Sequence, residues 1–287
     1  MDNQTGADNQ AGPADQAGAA DQAGADDDAA LRRRRGSSFG TAAEAYAEYR
    51  PGYAEAAVRW AVEPVADRTP LRVLDLAAGT GKLTETLVSL GADVTAVEPD
   101  PGMLAELRRR LGSVRSMPGR AEEIPLPDGA VDAVLAGQAM HWFDLDRALP
   151  ELARVLAPGG VLAGLWNVDD DRVGWVAELA AMSRRRASVT LLRWRNRETQ
   201  SRQERLLNAG SEEFEAAESR EFGHGQLRTA DSLLATMATH SHLLVMEPAE
   251  RDSLLADVRE FLCARPETAS GEFVLPMVTV VLRARRR

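Results

Sequence analysis

From residue 71 onward, short apolar runs alternate with longer segments in which apolar and polar residues recur at helical spacing. The longer segments predict helices, and the helix over 145–156 is expected to close at Pro158-Gly159-Gly160. Strands that alternate with helices at this spacing predict a parallel sheet with helices on both faces. The strands predicted from these runs cover residues 71–76, 94–97, 114–117, 131–136 and 161–166.

The segments on either side of this region are predicted to be mainly helical. Helices are expected at 41–49 and 52–66, separated by Arg50-Pro51-Gly52. Two late apolar runs, 219–222 and 273–282, raise the count to seven strands, and the last is expected to pair antiparallel at the sheet edge through a hairpin. We therefore predict an α/β fold with a doubly wound, seven-stranded, mostly parallel sheet, an antiparallel last strand and a helical cap.

The first 36 residues contain almost no large apolar side chain. Gln-Ala-Gly recurs there at Gln10, Gln16 and Gln22, without the aliphatic residues that a stacked β-helix repeat needs. Seven Asp and no basic residue lie in residues 1–30, so these 30 residues account for −7 of the net charge of −10. Such a composition cannot offset the entropy of ordering, and we predict a disordered, acidic, low-complexity tail over 1–36.

Composition and charge exclude several classes of protein. The remaining charge of about −3 lacks the excess of Lys and Arg that a nucleic-acid footprint needs, so no nucleic-acid partner is expected. No apolar run approaches the ~20 residues of a membrane span and no secretory signal starts the chain, so we expect a cytoplasmic protein without a membrane partner. One cysteine, Cys263, expected to be buried on a helix, and four histidines leave no expected metal site.

The strand over 71–76 runs directly into a turn of small residues, Ala77-Ala78-Gly79-Thr80-Gly81, after which a helix begins. Small residues let a ligand lie against the backbone, and the free N–H groups of a helix start can meet an anion. Glu98 ends the next predicted strand, 21 residues beyond Ala77, where an acid is placed to accept both hydroxyls of a ribose. Together these features predict an adenosine site at the carboxyl edge of a parallel sheet.

The spacing of this turn distinguishes two kinds of adenosine cofactor. A dinucleotide fingerprint needs Gly at the position that Lys82 occupies. Asp75, Ala77, Gly79 and Gly81 instead follow the order acidic-x-small-x-Gly-x-Gly. At these residues the chain resembles the class I S-adenosylmethionine (SAM)-dependent methyltransferases, in particular the type 11 group of small-molecule enzymes, with Ala77 in place of the first Gly. The resemblance implies the Rossmann-like methyltransferase fold and SAM as cofactor.

Further segments extend the resemblance over about residues 39–170. Residues 98–103 are similar to the family's ribose motif and 119–128 to its adenine segment, although Arg120 stands where most relatives carry an acid or Ser. Residues 138–143, Gln-Ala-Met-His-Trp-Phe, resemble the segment after the fourth strand. The cofactor-binding residues that the resemblance implies are Asp75, Ala77, Gly79, Thr80, Gly81, Glu98, Pro99, Met103, Ala121, Glu122, Gln138 and Ala139.

The resemblance also covers an N-terminal cap, in which Tyr46-x-x-Tyr49-Arg50-Pro51-x-Tyr53 precedes the first strand. His141 is open to two interpretations, because a ring beside the end of the fourth strand serves either as a general base or as a packed wall of the pocket. Trp142 and Tyr46 are also open to two interpretations, because each ring either faces the sulfonium or the substrate or forms part of a hydrophobic wall. The implied substrate pocket comprises Tyr46, Arg50, Tyr53, Trp142 and Trp166.

These features predict transfer of a methyl group from SAM to a small-molecule acceptor, at O, C or a simple N, by in-line displacement. Residues 137–140 lack the Asn/Asp-Pro-Pro-aromatic motif of many nucleobase and amide N-methyltransferases, which disfavours DNA. Two other classes stay open. One is a SAM-binding regulatory or partner protein without turnover, and the other is an NAD(P)-dependent oxidoreductase, which Lys82 and the absence of a Tyr-x-x-x-Lys pair disfavour.

The predicted domain organisation follows from these assignments. Beyond the tail, residues 37–66 form the helical cap and 67–170 the SAM-binding core. Residues 171–287 are expected to supply a helical insertion on the acceptor side, together with the closing strands of the same domain. The C-terminal arginines, Arg283 among them, are expected to be solvated at a frayed end.

Overall fold

The computed structural model describes residues 43–187, 212–244 and 246–287. Its strands are β1 (Arg72–Leu76), β2 (Asp93–Glu98), β3 (Arg115–Pro118), β4 (Val131–Gly137), β5 (Leu156–Asp169), β6 (Glu218–Thr229) and β7 (Glu272–Arg285). They form one sheet in the order β3-β2-β1-β4-β5-β7-β6. The predicted tail over 1–36 lies outside the described residues.

Strands β1 to β5 pair in parallel, whereas β7 runs antiparallel to both of its neighbours, β5 and β6. This confirms the predicted mostly parallel, seven-stranded sheet with an antiparallel last strand. The chain order reverses between β1 and β4, because β2 and β3 lie on one side of β1 and the later strands on the other. In open α/β sheets, ligands bind at the carboxyl ends of the strands beside such a reversal.

The helices are α1 (Ala43–Tyr49), α2 (Glu55–Val62), α3 (Lys82–Ser89), α4 (Pro101–Arg110), α5 (Leu145–Val155), α6 (Gly174–Ala187), α7 (Ala230–Ala238), α8 (Ser241–Leu244) and α9 (Pro248–Cys263). Helix α5 packs Leu152 against one face of the sheet, and α2 packs Val58 against the other. Because both faces are covered, β1 and β4 are buried along almost their whole length. Within the described ranges, no helix combines the length and apolar character that a bilayer crossing requires.

The position of the last strand differs from the prediction. Strand β7 lies between β5 and β6 instead of at the edge, and helices α7 to α9 separate β6 from β7 where a hairpin was expected. Val278, Val280 and Val281 of β7 are all buried, so its residues meet apolar neighbours on both faces. A strand of this kind belongs inside a sheet. Strand β6 is largely exposed and suits the edge.

The end of helix α5 also differs from the prediction. The helix stops at Val155, and Pro158-Gly159-Gly160 lies inside β5 instead of closing the helix. The pairing of β4 with β5 shifts register between Val131 and Ala133, opposite this segment. A Cβ on Gly160 would lie 2.8 Å from the carbonyl oxygen of Ala157, so the irregular strand requires glycine there.

Two C-terminal side chains depart from expectation. Cys263, predicted to be buried, is exposed at the end of α9. Arg283, predicted to be solvated, donates to the carboxylates of Glu63 and Glu218, and its guanidinium lies 3.9 Å from the centroid of the Trp60 ring. These contacts join residues more than 60 positions apart, which local sequence pattern does not reveal.

Candidate cofactor and acceptor site

The turn after β1 contains three residues in the left-handed backbone region. Ala77 has φ of 56°, Gly79 of 57° and Gly81 of 89°. The turn is fixed to the next strand, because the N–H of Ala78 donates to the carbonyl oxygen of Val97 at 3.1 Å. A left-handed conformation costs an alanine about 1–2 kcal/mol that glycine avoids. Ala77 therefore adopts the geometry that the first Gly of the motif would adopt, at some cost.

The two glycines of this turn have different surroundings. A Cβ placed on Gly79 would meet nothing within 4 Å, so the backbone there faces open space. A Cβ on Gly81 would lie 2.7 Å from Cδ1 of Leu111 and 3.3 Å from Cγ of Leu107. Gly81 thus lies close to α4 in a left-handed conformation that favours glycine, whereas Gly79 leaves room for a ligand against the backbone.

Glu98 ends β2 and is 6% exposed. One carboxylate oxygen accepts the N–H of Gly79 at 2.8 Å and the other accepts the N–H of Asp100 at 2.8 Å. Burial raises the pKa of Glu98 to about 7, although these hydrogen bonds oppose the rise. Each oxygen retains a second acceptor position. The carboxylate therefore joins the β1 turn to the start of α4 and can accept two further hydroxyl groups.

Two buried polar atoms beside this turn have no hydrogen-bond partner. Asp75 is fully buried on β1, and its Oδ2 accepts from Oγ1 of Thr84 at 2.5 Å, whereas Oδ1 accepts nothing. Oγ1 of Thr80, at the turn itself, is also buried without a partner. Burial raises the pKa of Asp75 to about 7. Unpartnered buried polar atoms are costly, so their presence at a strand end indicates a polar ligand.

The residues implied for the adenine side surround the end of β2. Met103 and Ala121 are buried, whereas Pro99 is exposed at the strand end. Oε1 of Glu122 accepts the N–H of Asp144 at 2.9 Å, so the segment after β3 is joined to the segment after β4. The structure therefore brings these residues to the same edge as Glu98.

After β4, Gln138 adopts a left-handed conformation with φ of 57°. Its N–H donates to Leu165 and its side-chain Nε2 to Asn167, both at carbonyl oxygens 2.8 Å away on β5. Ala139 is buried, and His141 and Trp142 follow on a single 3₁₀ turn with their ring centroids 4.8 Å apart. Both rings are half-buried. The turn of β4 thus presents two aromatic side chains beside the cofactor side of the edge.

The N-terminal cap lies over the ends of β1 and β4. The Tyr53 ring occupies the space that a side chain on Gly137 would need, and burial raises the pKa of its phenol well above the usual value. The Arg50 guanidinium lies 4.8 Å from the centroid of the Tyr46 ring and donates to Oγ1 of Thr239 at 3.0 Å. These contacts bring Tyr46, Arg50 and Tyr53 to the edge where the resemblance implies them.

Trp166 is not brought together with these residues. It is 6% exposed on the sheet face that carries α5, and its indole ring lies over Gly164, earlier on the same strand. The next residue, Asn167, points to the cap instead, since its Nδ2 donates to the carbonyl oxygen of Gly52 at 2.8 Å. Successive strand residues point to opposite faces of the sheet. A pocket on the cap side is therefore lined by Asn167 and not by Trp166.

Sequence reasoning missed three side chains on the acceptor side. Asp169, the last residue of β5, is 9% exposed, and burial raises its pKa to about 7. Arg228, near the end of β6, is 6% exposed and donates from its terminal nitrogen to the carbonyl oxygen of Tyr49 at 2.5 Å. Thr239 accepts from Arg50. An acid at the end of a strand was a usable signal for Asp169, but nothing distinguishes Arg228 or Thr239 in an arginine-rich chain.

Comparison with known proteins identifies the family. The model of the type 11 methyltransferase domain matches residues 74–164, which run from β1 into β5. Over 259 residues the chain is 42% identical to an uncharacterized methyltransferase of Mycobacterium tuberculosis (strain ATCC 25618 / H37Rv), and the match covers 88% of this chain and 97% of the relative. The chain belongs to the type 11 methyltransferase family. This confirms the resemblance to class I SAM-dependent methyltransferases.

Two further proteins show how far the likeness of this methyltransferase extends. It is 42% identical over 118 residues to the demethylmenaquinone methyltransferase of Thermus thermophilus, a match that covers 38% of this chain and 54% of the relative. A solved structure from Anaeromyxobacter dehalogenans, assigned as a type II methyltransferase, superimposes with a TM-score of 0.57 at 27% identity, over 83% of this chain and 98% of that one. The shared fold therefore extends well beyond residues 74–164.

The residues of this methyltransferase fit the SAM that its family implies. The open space at Gly79 admits a ligand against the backbone, and Glu98 retains acceptor positions for two ribose hydroxyls. The unpartnered atoms of Asp75 and Thr80 suit the polar amino-acid end of the cofactor. These are features of the chain itself, and each is of the chemical kind that the cofactor requires.

Proposed function

We propose that this methyltransferase moves a methyl group from SAM to a small-molecule acceptor by in-line displacement. The observation that carries the proposal is the buried carboxylate of Glu98, held by Gly79 and Asp100 beside backbone that faces open space. The name of the Thermus thermophilus relative, a demethylmenaquinone methyltransferase, supports an acceptor of small-molecule type.

In this proposal the ends of β1 and β2 bind the cofactor. Glu98 accepts the ribose hydroxyls, Met103 and Ala121 pack beside the adenine, and Asp75 and Thr80 meet the amino-acid end. When bound, SAM supplies a methyl group made electrophilic by its sulfonium. The chain itself needs to align the acceptor and exclude water, which is mainly a matter of proximity and orientation.

In this proposal, the cap and the turn after β4 form the part of the site that binds the acceptor. Tyr46, Arg50 and Tyr53 cover the ends of β1 and β4 and exclude water from the reacting atoms. Trp142 forms part of the wall. His141 accepts the proton of a hydroxyl or phenol acceptor as a general base, a role that fits a half-buried imidazole directly after β4.

Transfer is tested with SAM labelled in its methyl group and an extract of small metabolites. The full chain is expected to move label into low-mass products and to form S-adenosylhomocysteine (SAH) in equal amount. SAM binding without label transfer from any extract would contradict the catalytic proposal and favour a regulatory SAM-binding protein. Absence of SAM binding would contradict the proposal at its first step.

A further inference from the structure

The acceptor side of the site contains more buried positive charge than negative charge. Arg228 is buried and Arg50 is half-buried between the cap and the sheet, and half-buried Lys82, the first residue of α3, lies within electrostatic range of Arg228. The acid that faces both guanidiniums is Asp169. Among the residues that the structure describes, none of these three cations forms an ion pair with a carboxylate. Buried charges are normally paired, so the imbalance indicates an anionic ligand.

Arg228 gives the strongest evidence for an anionic ligand. It is 6% exposed, and its Nε is buried without a hydrogen-bond partner, while one terminal nitrogen donates to the carbonyl oxygen of Tyr49. Burial lowers the pKa of Arg228, and the attraction of Asp169 only partly opposes this effect. A guanidinium binds carboxylate or phosphate through two parallel N–H groups, and Arg228 retains the Nε–H for such a contact.

Asp169 does not neutralise this charge fully. No hydrogen bond from a described residue reaches its carboxylate, and burial raises its pKa to about 7. Near neutral pH its negative charge is therefore only partial. At least one full positive charge remains on Arg50 and Arg228 together, beneath the cap.

The backbone of Arg228 lies on a strand distant from the strands that carry the cofactor residues. Strand β6 is the outermost strand on the side of the sheet opposite β3, with β4, β5 and β7 between it and β1. At roughly 4.8 Å per strand, the β6 backbone lies about 19 Å from that of β1. The Arg228 side chain thus enters the site from the acceptor side, under the backbone of the cap at Tyr49.

We propose that Arg228, assisted by Arg50 and Lys82, binds a carboxylate or phosphate group of the methyl acceptor. The acceptor is then an acidic small molecule. This inference rests on the proposed methyltransferase function and adds the chemical class of its substrate. The anionic group orients the acceptor from the β6 side, while the methylated atom faces the ends of β1 and β4.

Inorganic phosphate is the probe for this subsite. In calorimetric titrations of the full chain saturated with SAH, phosphate should bind the wild type, and Arg228→Gln should weaken that binding about tenfold or more, the worth of one charge-assisted hydrogen bond. Arg220→Gln is the matched control, because Arg220 lies on the same strand at an exposed position. Phosphate affinity equal in Arg228→Gln and wild type, or no phosphate binding by the SAH complex, would overturn the inference.

The cofactor's own carboxylate is the main competitor for Arg228. Methylthioadenosine lacks the amino-acid end of SAH. Comparing the two ligands therefore distinguishes an Arg228 that binds the cofactor's carboxylate from one that binds the acceptor. Arg228→Gln should bind both as tightly as wild type within twofold. Loss of SAH affinity with unchanged methylthioadenosine affinity would show that Arg228 serves the cofactor, which overturns the inference. Failure of the wild type to bind either ligand would instead refute the proposed function.

A second variant covers the case in which Arg228→Gln does not fold. Lys82 is half-buried, and Lys82→Gln should lower phosphate affinity at least about threefold through the loss of one nearby charge. Unchanged affinity in Lys82→Gln would overturn the inference.

Chromatography of the extract components that accept label gives an independent result. Extract components that accept label should be retained on an anion exchanger at pH 7.5, and acceptors found only in the flow-through would contradict an acidic substrate.

Discussion

The two ends of the carboxyl edge differ in their ionisable groups, since one contains only buried acids and the other contains two guanidiniums and one acid. The end formed by β1 and β2 holds the carboxylates of Asp75 and Glu98. The end formed by the cap, β5 and β6 holds the guanidiniums of Arg50 and Arg228 around Asp169. Acids suit a cofactor that offers hydroxyls and positive charge, whereas guanidiniums suit an acidic acceptor. In our proposal, this difference allows one edge to bind two ligands of complementary polarity.

The two ends also differ in how the chain assembles them. Asp75, Gly79 and Glu98 lie within 24 consecutive residues, and the backbone of one turn positions them. The acceptor end joins the cap to helix α7 through the bond between Arg50 and Thr239, which are 189 positions apart. The first end is therefore a property of a short motif, and the second depends on the whole fold.

The largest effect is expected for His141, which lies where the two ends meet. His141→Ala should leave SAH affinity unchanged and lower the rate of label transfer ~10²- to 10⁴-fold, the usual contribution of a general base. Label transfer within threefold of wild type would remove His141 from the mechanism and leave it a packed ring.

The next effect separates the two glycines of the cofactor turn. Gly79→Ala should destabilise the fold by only about 1–2 kcal/mol, the cost of a left-handed alanine, yet weaken SAH binding more than about tenfold because its methyl group enters the ligand's space. Gly81→Ala should behave in the opposite way, with a larger loss of stability from contact with Leu111 and SAH affinity close to wild type. Calorimetry and thermal unfolding of both variants measure the contrast. Equal effects on SAH binding would refute it.

The contrast between the two ends explains what the sequence could and could not predict. The turn at 77–81 and Glu98 were predictable, because a small-residue turn and an acid after an apolar strand are local features with a direct structural meaning. Arg228 was not, because its burial depends on β7 separating β6 from β5 and on the cap reaching Tyr49. Trp166 was assigned to the pocket because the fifth strand was identified without the direction of its side chains.

A smaller effect concerns pH and the cofactor end. Burial raises the pKa of Glu98 to about 7, and the ribose hydroxyls need the ionised carboxylate. SAH affinity should therefore rise about tenfold between pH 6 and pH 8, and Glu98→Gln should lose the part of this dependence that Glu98 contributes.

The stability of the unliganded protein should fall as pH rises, whereas SAH affinity should rise. Glu98, Asp75 and Asp169 have folded-state pKa values of about 7, above those of unfolded acids, so the folded state holds more protons between about pH 4 and pH 7. The free energy of unfolding should fall as pH rises through that window. A melting temperature that rises with pH over the same range would contradict the assignment of buried, neutral acids.

The cofactor site is tested most directly by SAH binding to the wild type and to Glu98→Gln, measured by calorimetry at pH 8. Glu123→Gln is the matched control, because Glu123 is an exposed acid near the same edge. We expect at least about a tenfold loss of affinity in Glu98→Gln, since charge-assisted hydrogen bonds to the ribose are lost, and no change in the control. We also expect that wild type, but not Glu98→Gln, distinguishes SAH from its 2′-deoxy analogue. Equal SAH affinity in Glu98→Gln and wild type would contradict the cofactor site on which the function rests.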